Sequence, residues 1–108
     1  MSQVIHLTSD AFKKVMDHGS PILIDFWAPW CGPCVKQGPI LDEVATAIGD
    51  LAIVAKVNVD EEPTIAGQFG VQSIPTLIVL KGGKILHRMV GVQQAQVLTD
   101  AIRKAVVG

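Results

Sequence analysis

Apolar residues recur along this chain with two different periods. Ile22-Leu23-Ile24-Asp25-Phe26-Trp27 is apolar at every position but one, the pattern of a strand covered on both faces. Leu51 to Val59 predicts another strand, and Thr76 to Leu80 and Lys84 to Val90 predict two more. Val4 to Leu7 adds a short strand ahead of them. Between these runs the spacing becomes helical. Phe12, Val15 and Met16 follow Thr8 or Ser9 as N-cap, and Gly19-Ser20-Pro21 breaks that helix. Ile40, Leu41, Val44, Ala45 and Ile48 form one stripe that stops at Gly49. Pro33 suits the first turn of this helix, where its missing N–H costs nothing, and Pro39 inside it predicts a kink. Glu62-Pro63 opens a short helix holding Ile65, Ala66 and Phe69, which Gly70 ends. Val97, Leu98, Ala101, Ile102, Ala105 and Val106 are the stripe of a C-terminal helix, with Arg103 and Lys104 placed to suit its dipole.

The resulting order is β-α-β-α-β-α-β-β-α. Gly82-Gly83 between the last two strands signals a β-hairpin. Strands that alternate with helices and then close with a hairpin predict a three-layer α/β/α sandwich around a mixed sheet. A length of 108 residues with 49% hydrophobic and 18% charged residues fits one domain, 1–108, with a buried core. A net charge of −1 gives no general electrostatic reason to bind nucleic acid or an anionic membrane. The longest apolar run, Ile74 to Leu80, is strand-sized and contains Pro75 and Thr76, so no membrane span is expected. Met1-Ser2-Gln3-Val4-Ile5-His6 has no basic start, apolar stretch and cleavage site, so a cytoplasmic location is expected, with the chain a monomer.

The only two cysteines stand three positions apart, in Cys31-Gly32-Pro33-Cys34. A bond between them closes a very small loop, removes little unfolded-state entropy and is a poor staple. Their interest is therefore chemical. They lie where a buried strand passes into a helix, and residues three apart on a helix share a face. At Cys31 the free N–H groups and positive dipole end of the helix favour thiolate over thiol, and thiolate is the species that attacks disulfides. Cys34, one turn further in, is expected to be less exposed and placed to attack the sulfur of Cys31. Two plainer readings compete. Zinc normally takes four ligands, and the chain has no second cysteine pair, while His6, His18 and His87 are scattered. Buried, inert thiols are the other reading. A cluster shared between two chains remains open.

Asp25 and Lys56 each interrupt an apolar strand, and a charge there is costly unless paired or protonated. Neighbouring strands with Asp25 facing Lys56 would resolve both. That pair is either structural or functional: a buried carboxyl beneath Cys34 could accept its proton, directly or through water. Burial favours the acid and Lys56 the carboxylate, so ionisation is left open. Pro75 stands at a strand start, where a missing N–H is tolerable. Trp30 is expected to be exposed beside the pair and Trp27 to belong to the core.

Trp30-Cys31-Gly32-Pro33-Cys34, together with Asp25-Phe26-Trp27-Ala28, Pro39-Ile40-Leu41, Lys56-Val57-Asn58-Val59-Asp60, Phe69-Gly70-Val71, Ile74-Pro75-Thr76 and Gly82-Gly83-Lys84, resembles the thioredoxin family in order and over nearly the whole chain. The resemblance implies the thioredoxin fold, a central five-stranded mixed sheet flanked by four helices. It implies a protein-disulfide reductase with Cys31 as nucleophile, Cys34 as resolving thiol, Asp25 as buried acid, Lys56 as its partner and Pro75 as a cis-proline. Trp30, Gly32, Pro33, Ile74 and Gly91 would form an apolar docking surface. A thioredoxin reductase would recharge the chain with electrons from NADPH, bound by that partner, since no Gly-rich dinucleotide loop is present here. Clients would be of the ribonucleotide reductase, peroxiredoxin and methionine sulfoxide reductase types. Val35, Gly38 and Val92 depart from residues frequent in relatives, which bears on client preference. Competing functions are an oxidase or isomerase on the same fold, a non-redox binding subunit using the same apolar surface, and a metal or iron–sulfur protein.

Overall fold

The computed structural model describes residues 3–108. The chain runs β1 (Ile5–His6), α1 (Ser9–Met16), β2 (Ile22–Trp27), α2 (Gly32–Ile48), a 3-10 turn (Gly49–Leu51), β3 (Ile53–Asn58), α3 (Pro63–Gln68), β4 (Thr76–Lys81), β5 (Lys84–Val90) and α4 (Ala95–Val107). The strands form one sheet in the order β1-β3-β2-β4-β5. β3 runs parallel to its two neighbours β1 and β2, while β4 runs antiparallel to both β2 and β5. This is the mixed five-stranded sheet with four helices that the residue pattern predicts.

Alternation along β2 divides the interior in two. Leu23 joins Leu41, Val44, Ile48, Leu77, Leu98 and Ile102 under α2 and α4. Ile22, Ile24 and Phe26 join Leu7, Ile65 and Ile78 on the opposite face, where α1 and α3 pack. β2 lies at the centre of the sheet and is fully covered from Ile22 to Phe26, which explains its unbroken apolar run. On the α1 side an aromatic chain fills the interior: the Phe26 and Phe69 rings are 5.4 Å apart, and Phe12 meets Phe69 edge-on at 6.0 Å.

Two strand boundaries differ from expectation. The first strand is only Ile5–His6, because only those two residues pair with β3. The third begins at Ile53, since Gly49 takes φ +60 and Gly49–Leu51 form a 3-10 turn before the sheet resumes. Thr8 occupies the N-cap of α1 without a side-chain bond; the Glu62 carboxylate accepts the Ser9 N–H instead, at 3.0 Å. α2 is continuous across Pro39. The β4–β5 turn consists of Gly82 and Gly83 with φ of +60 and +78, the two left-handed positions that a type I′ turn requires.

Phe26 is fully buried between α3 and the sheet. Phe26→Ala should lower unfolding free energy in urea by about 3–5 kcal/mol through lost burial and a residual cavity. A loss below about 1 kcal/mol would mean that this layer is loosely packed.

Candidate active site

β2 ends at Trp27, and Ala28-Pro29-Trp30 carries the chain to the first turn of α2. Cys31 is the N-cap of that helix, with extended φ/ψ of −92 and 111. Gly32 and Pro33 follow, and Pro33 has no N–H to offer. The next amide, that of Cys34, donates to Cys31 Sγ at 3.3 Å. The sulfur thus takes the place that a serine or aspartate oxygen fills in an ordinary N-cap. An N–H directed at the sulfur stabilises negative charge there, and the helix dipole adds to it.

Cys31 and Cys34 are joined as a disulfide, with Cα atoms 5.2 Å apart, inside the usual range for such a bond. Cys34 is fully buried and Cys31 is 7% exposed. Cys31 is the sulfur nearer solvent, yet far less open than an unhindered thiol. The reason is packing: Trp27, Val59 and Ile74 close around Ala28 and the two cysteines.

Residues remote in sequence surround the pair. Cys31 Sγ lies 3.8 Å from the carbonyl oxygen of Ile74, and the Ile74–Pro75 peptide is cis. The Gly91 N–H donates to the Pro75 carbonyl at 2.8 Å, so the end of β5 is tied to the same segment. Gly91 has φ +90, a backbone region that side-chain-bearing residues rarely adopt. Trp30, Gly32 and Pro33 are exposed, while Ile74 and Gly91 are half-buried and Pro75 is buried. The Trp30 indole N–H donates to Asp60 Oδ2 at 2.7 Å, which fixes a ring that is 71% exposed. Trp30 and Ile74, with Val59, Ala66, Val71 and Gln72, line a shallow groove of about 190 Å³. The bond from Trp30 to Asp60 joins residues 30 positions apart and leaves no local signal in the sequence.

Asp25 lies in the strand that leads into the motif and shares the α2 face of the sheet with Leu23. Its register partner on β3 is Lys56, as the two interrupted apolar runs predict. The predicted ion pair takes a different form, however. The Lys56 ammonium rests over the Trp27 ring, 4.0 Å from its centroid, while both buried Asp25 oxygens lack a hydrogen-bond partner among the described residues. Trp27 is accordingly half-buried rather than enclosed in the core. Burial pushes the Asp25 carboxyl up from 3.8 to about 7, with Lys56 pulling it part of the way back.

Among the described residues no group of three or more His, Cys, Asp or Glu is arranged to hold a metal ion. No helix there is long and apolar enough to cross a membrane.

The thioredoxin family model matches residues 3–104. The chain belongs to the thioredoxin family. It is 50% identical over 78 residues to a thioredoxin of Chlorobaculum thiosulfatiphilum, covering 72% of each chain. It is 43% identical over 105 residues to thioredoxin 1 of a Nostoc species, covering 96% of this chain and 98% of the relative. The solved thioredoxin of Malassezia sympodialis superposes with a TM-score of 0.87 at 34% identity, over 98% of this chain and 93% of that one. A mutant thioredoxin from Halobacterium salinarum gives 0.86 at 30% identity, over 97% and 91%. Family membership and a cysteine pair at disulfide distance make this thioredoxin-family chain a protein-disulfide reductase.

The raised Asp25 value has a consequence for stability. The folded chain holds a proton that the unfolded chain releases between 3.8 and about 7. The stability present below pH 3.8 is therefore lost as pH rises through about 7. Asp25→Asn removes that loss, so its advantage over the native oxidised protein should grow from pH 4 to pH 8 by up to about 4 kcal/mol. Denaturant melts at the two pH values measure it, and an advantage independent of pH would remove the titration of Asp25 as its cause.

Proposed function

We propose that the chain is a general cytoplasmic reductant of protein disulfides, working as a monomeric, single-domain electron carrier with Cys31 as the attacking sulfur. The observation that supports this most directly is the Cys34 N–H directed at Cys31 Sγ. In the reduced chain the same amide and helix terminus would hold Cys31 as thiolate. Cys31 attacks one sulfur of a client disulfide; a Cys31–client bond forms, the client S–S bond breaks, and the other client sulfur leaves as thiolate and takes a proton. Cys34 then loses its proton and attacks Cys31 Sγ. The Cys31–Cys34 bond forms, the mixed disulfide breaks, and the second client thiol departs. The client gains two electrons from the cysteine pair and two protons, one released by Cys34 and one taken from solvent.

Asp25 is the proposed base for the second step. It lies beneath α2, and a carboxyl near 7 gives up and takes up a proton readily at neutral pH. Lys56, beside it in register, keeps enough of the carboxylate present to serve. Trp30, Gly32, Pro33, Ile74, Pro75 and Gly91 form the proposed docking surface, with the groove between Trp30 and Ile74 as a bed for the client chain next to its disulfide. No cofactor is bound by this chain in the proposed cycle. A thioredoxin reductase returns two electrons from NADPH to the Cys31–Cys34 disulfide, and the clients are of the ribonucleotide reductase, peroxiredoxin and methionine sulfoxide reductase types.

Insulin reduction driven by dithiothreitol, or by NADPH with thioredoxin reductase, should accelerate strongly when the protein is added. Cys34→Ser should accumulate mixed disulfides with clients at Cys31, and Cys31→Ser should form none by this route, as mass spectrometry of trapped adducts would show. Adducts found on Cys34 would reverse the assignment. Asp25→Asn should slow release from the mixed disulfide more than its formation; equal release rates across pH would exclude Asp25 as the base.

A further inference from the structure

Gln37 is fully buried in α2, one turn beyond Cys34 on the same face of the helix. An unpaired amide there would be costly, and this one is satisfied on both sides by a segment 56 residues away. Gln37 Nε2 donates to the Gln93 carbonyl at 3.0 Å, and the Gln93 N–H donates to Gln37 Oε1 at 2.7 Å. The Gln93 side chain in turn donates to the carbonyls of Val90 and Gly91, at 3.3 and 3.2 Å. At the other end of the same loop, the Gly91 N–H is bonded to the Pro75 carbonyl. Gly91 and Val92 are therefore suspended between two anchors, one on the cis-Pro75 segment and one on the helix that carries Cys34. Val92 is 36% exposed, so the suspended segment is open to an incoming chain.

We propose that Gln37 is a positioning residue for protein substrates: its paired amide bonds to Gln93 hold the Gly91–Val92 segment at the height that an extended client backbone meets when its disulfide reaches Cys31. This rests on the reading of Gly91 and its neighbours as a docking surface. The clamp touches neither reacting sulfur. It acts on substrates large enough to lie across the loop and is indifferent to small disulfides that reach Cys31 alone.

Insulin reduction is measured with dithiothreitol as the recycling reductant, so that no reductase needs to dock, and the small disulfide is measured in a single turnover of pre-reduced protein freed of dithiothreitol, which would reduce it directly. Gln37→Leu removes both bonds while keeping a side chain suited to the buried stripe. For this variant KM for insulin should rise about fivefold, the scale of one net hydrogen bond, with kcat and the rate with the small disulfide dithiobis(nitrobenzoate) changed less than about twofold. Gln37→Met, which keeps the length of glutamine, is read in the same way should the leucine variant fail to fold by circular dichroism. Val92→Asp tests the docking surface independently and should also raise KM for insulin. An equal slowing of the small disulfide by Gln37→Leu would overturn the proposal, because the clamp would then act on the dithiol. An unchanged insulin KM in Gln37→Leu beside a raised one in Val92→Asp would overturn the role of Gln37 and leave the docking surface standing. An unchanged KM in both would remove the docking surface and this inference with it.

Discussion

The chemistry of this chain depends on one helix terminus. An α-helix begins with N–H groups that have no partner within the helix, and something must accept them. In α2 the N-cap is a cysteine, the second helical residue is Pro33, and the first N–H directed back at the cap is that of Cys34. The bond that satisfies this structural requirement of helix formation is made to a sulfur of the cysteine pair. The rest of the domain serves to hold that terminus in place: β2 delivers it from the centre of the sheet, and α2 and α4 pack together over one face.

On the face of β2 that carries Leu23, the domain tolerates a carboxyl group that its packing opposes. Desolvation raises the Asp25 value far more than Lys56 lowers it, so the neutral acid is favoured below about 7. Lys56 acts at a remove because its ammonium is drawn over Trp27, where the ring face offers a competing attraction. The result is a group poised to exchange a proton at neutral pH, with a stability cost in its charged form. Natural active sites commonly accept such a cost where the perturbed group has work to do.

Around the pair, the exposed surface is assembled from segments far apart in sequence. Trp30 is steadied by Asp60, the Ile74 carbonyl oxygen faces Cys31 Sγ, and the loop after β5 is fastened to Pro75 and to Gln37. These fastenings are directional hydrogen bonds beneath a mostly apolar rim. Such fastenings keep the backbone of the rim in place.

The residues alone determined the order of strands and helices, the Gly82-Gly83 hairpin and the placing of Cys31 and Cys34 at a helix start. Each of these follows from interactions within a few positions: side-chain period, capping and the conformational limits of glycine and proline. The neighbouring of Asp25 and Lys56 was also legible, because a charge inside an apolar run demands an explanation on both strands. What tertiary structure decided was everything set between distant residues. The ammonium turns to Trp27 instead of the carboxyl, and Glu62 caps α1 across 53 residues. Gln37 spends its amide on a loop 56 residues away, although in the sequence it merely fills one polar place on an apolar stripe. Local rules state that a buried polar group needs a partner; only the folded chain supplies its identity, because the candidates are brought together by packing and not by spacing.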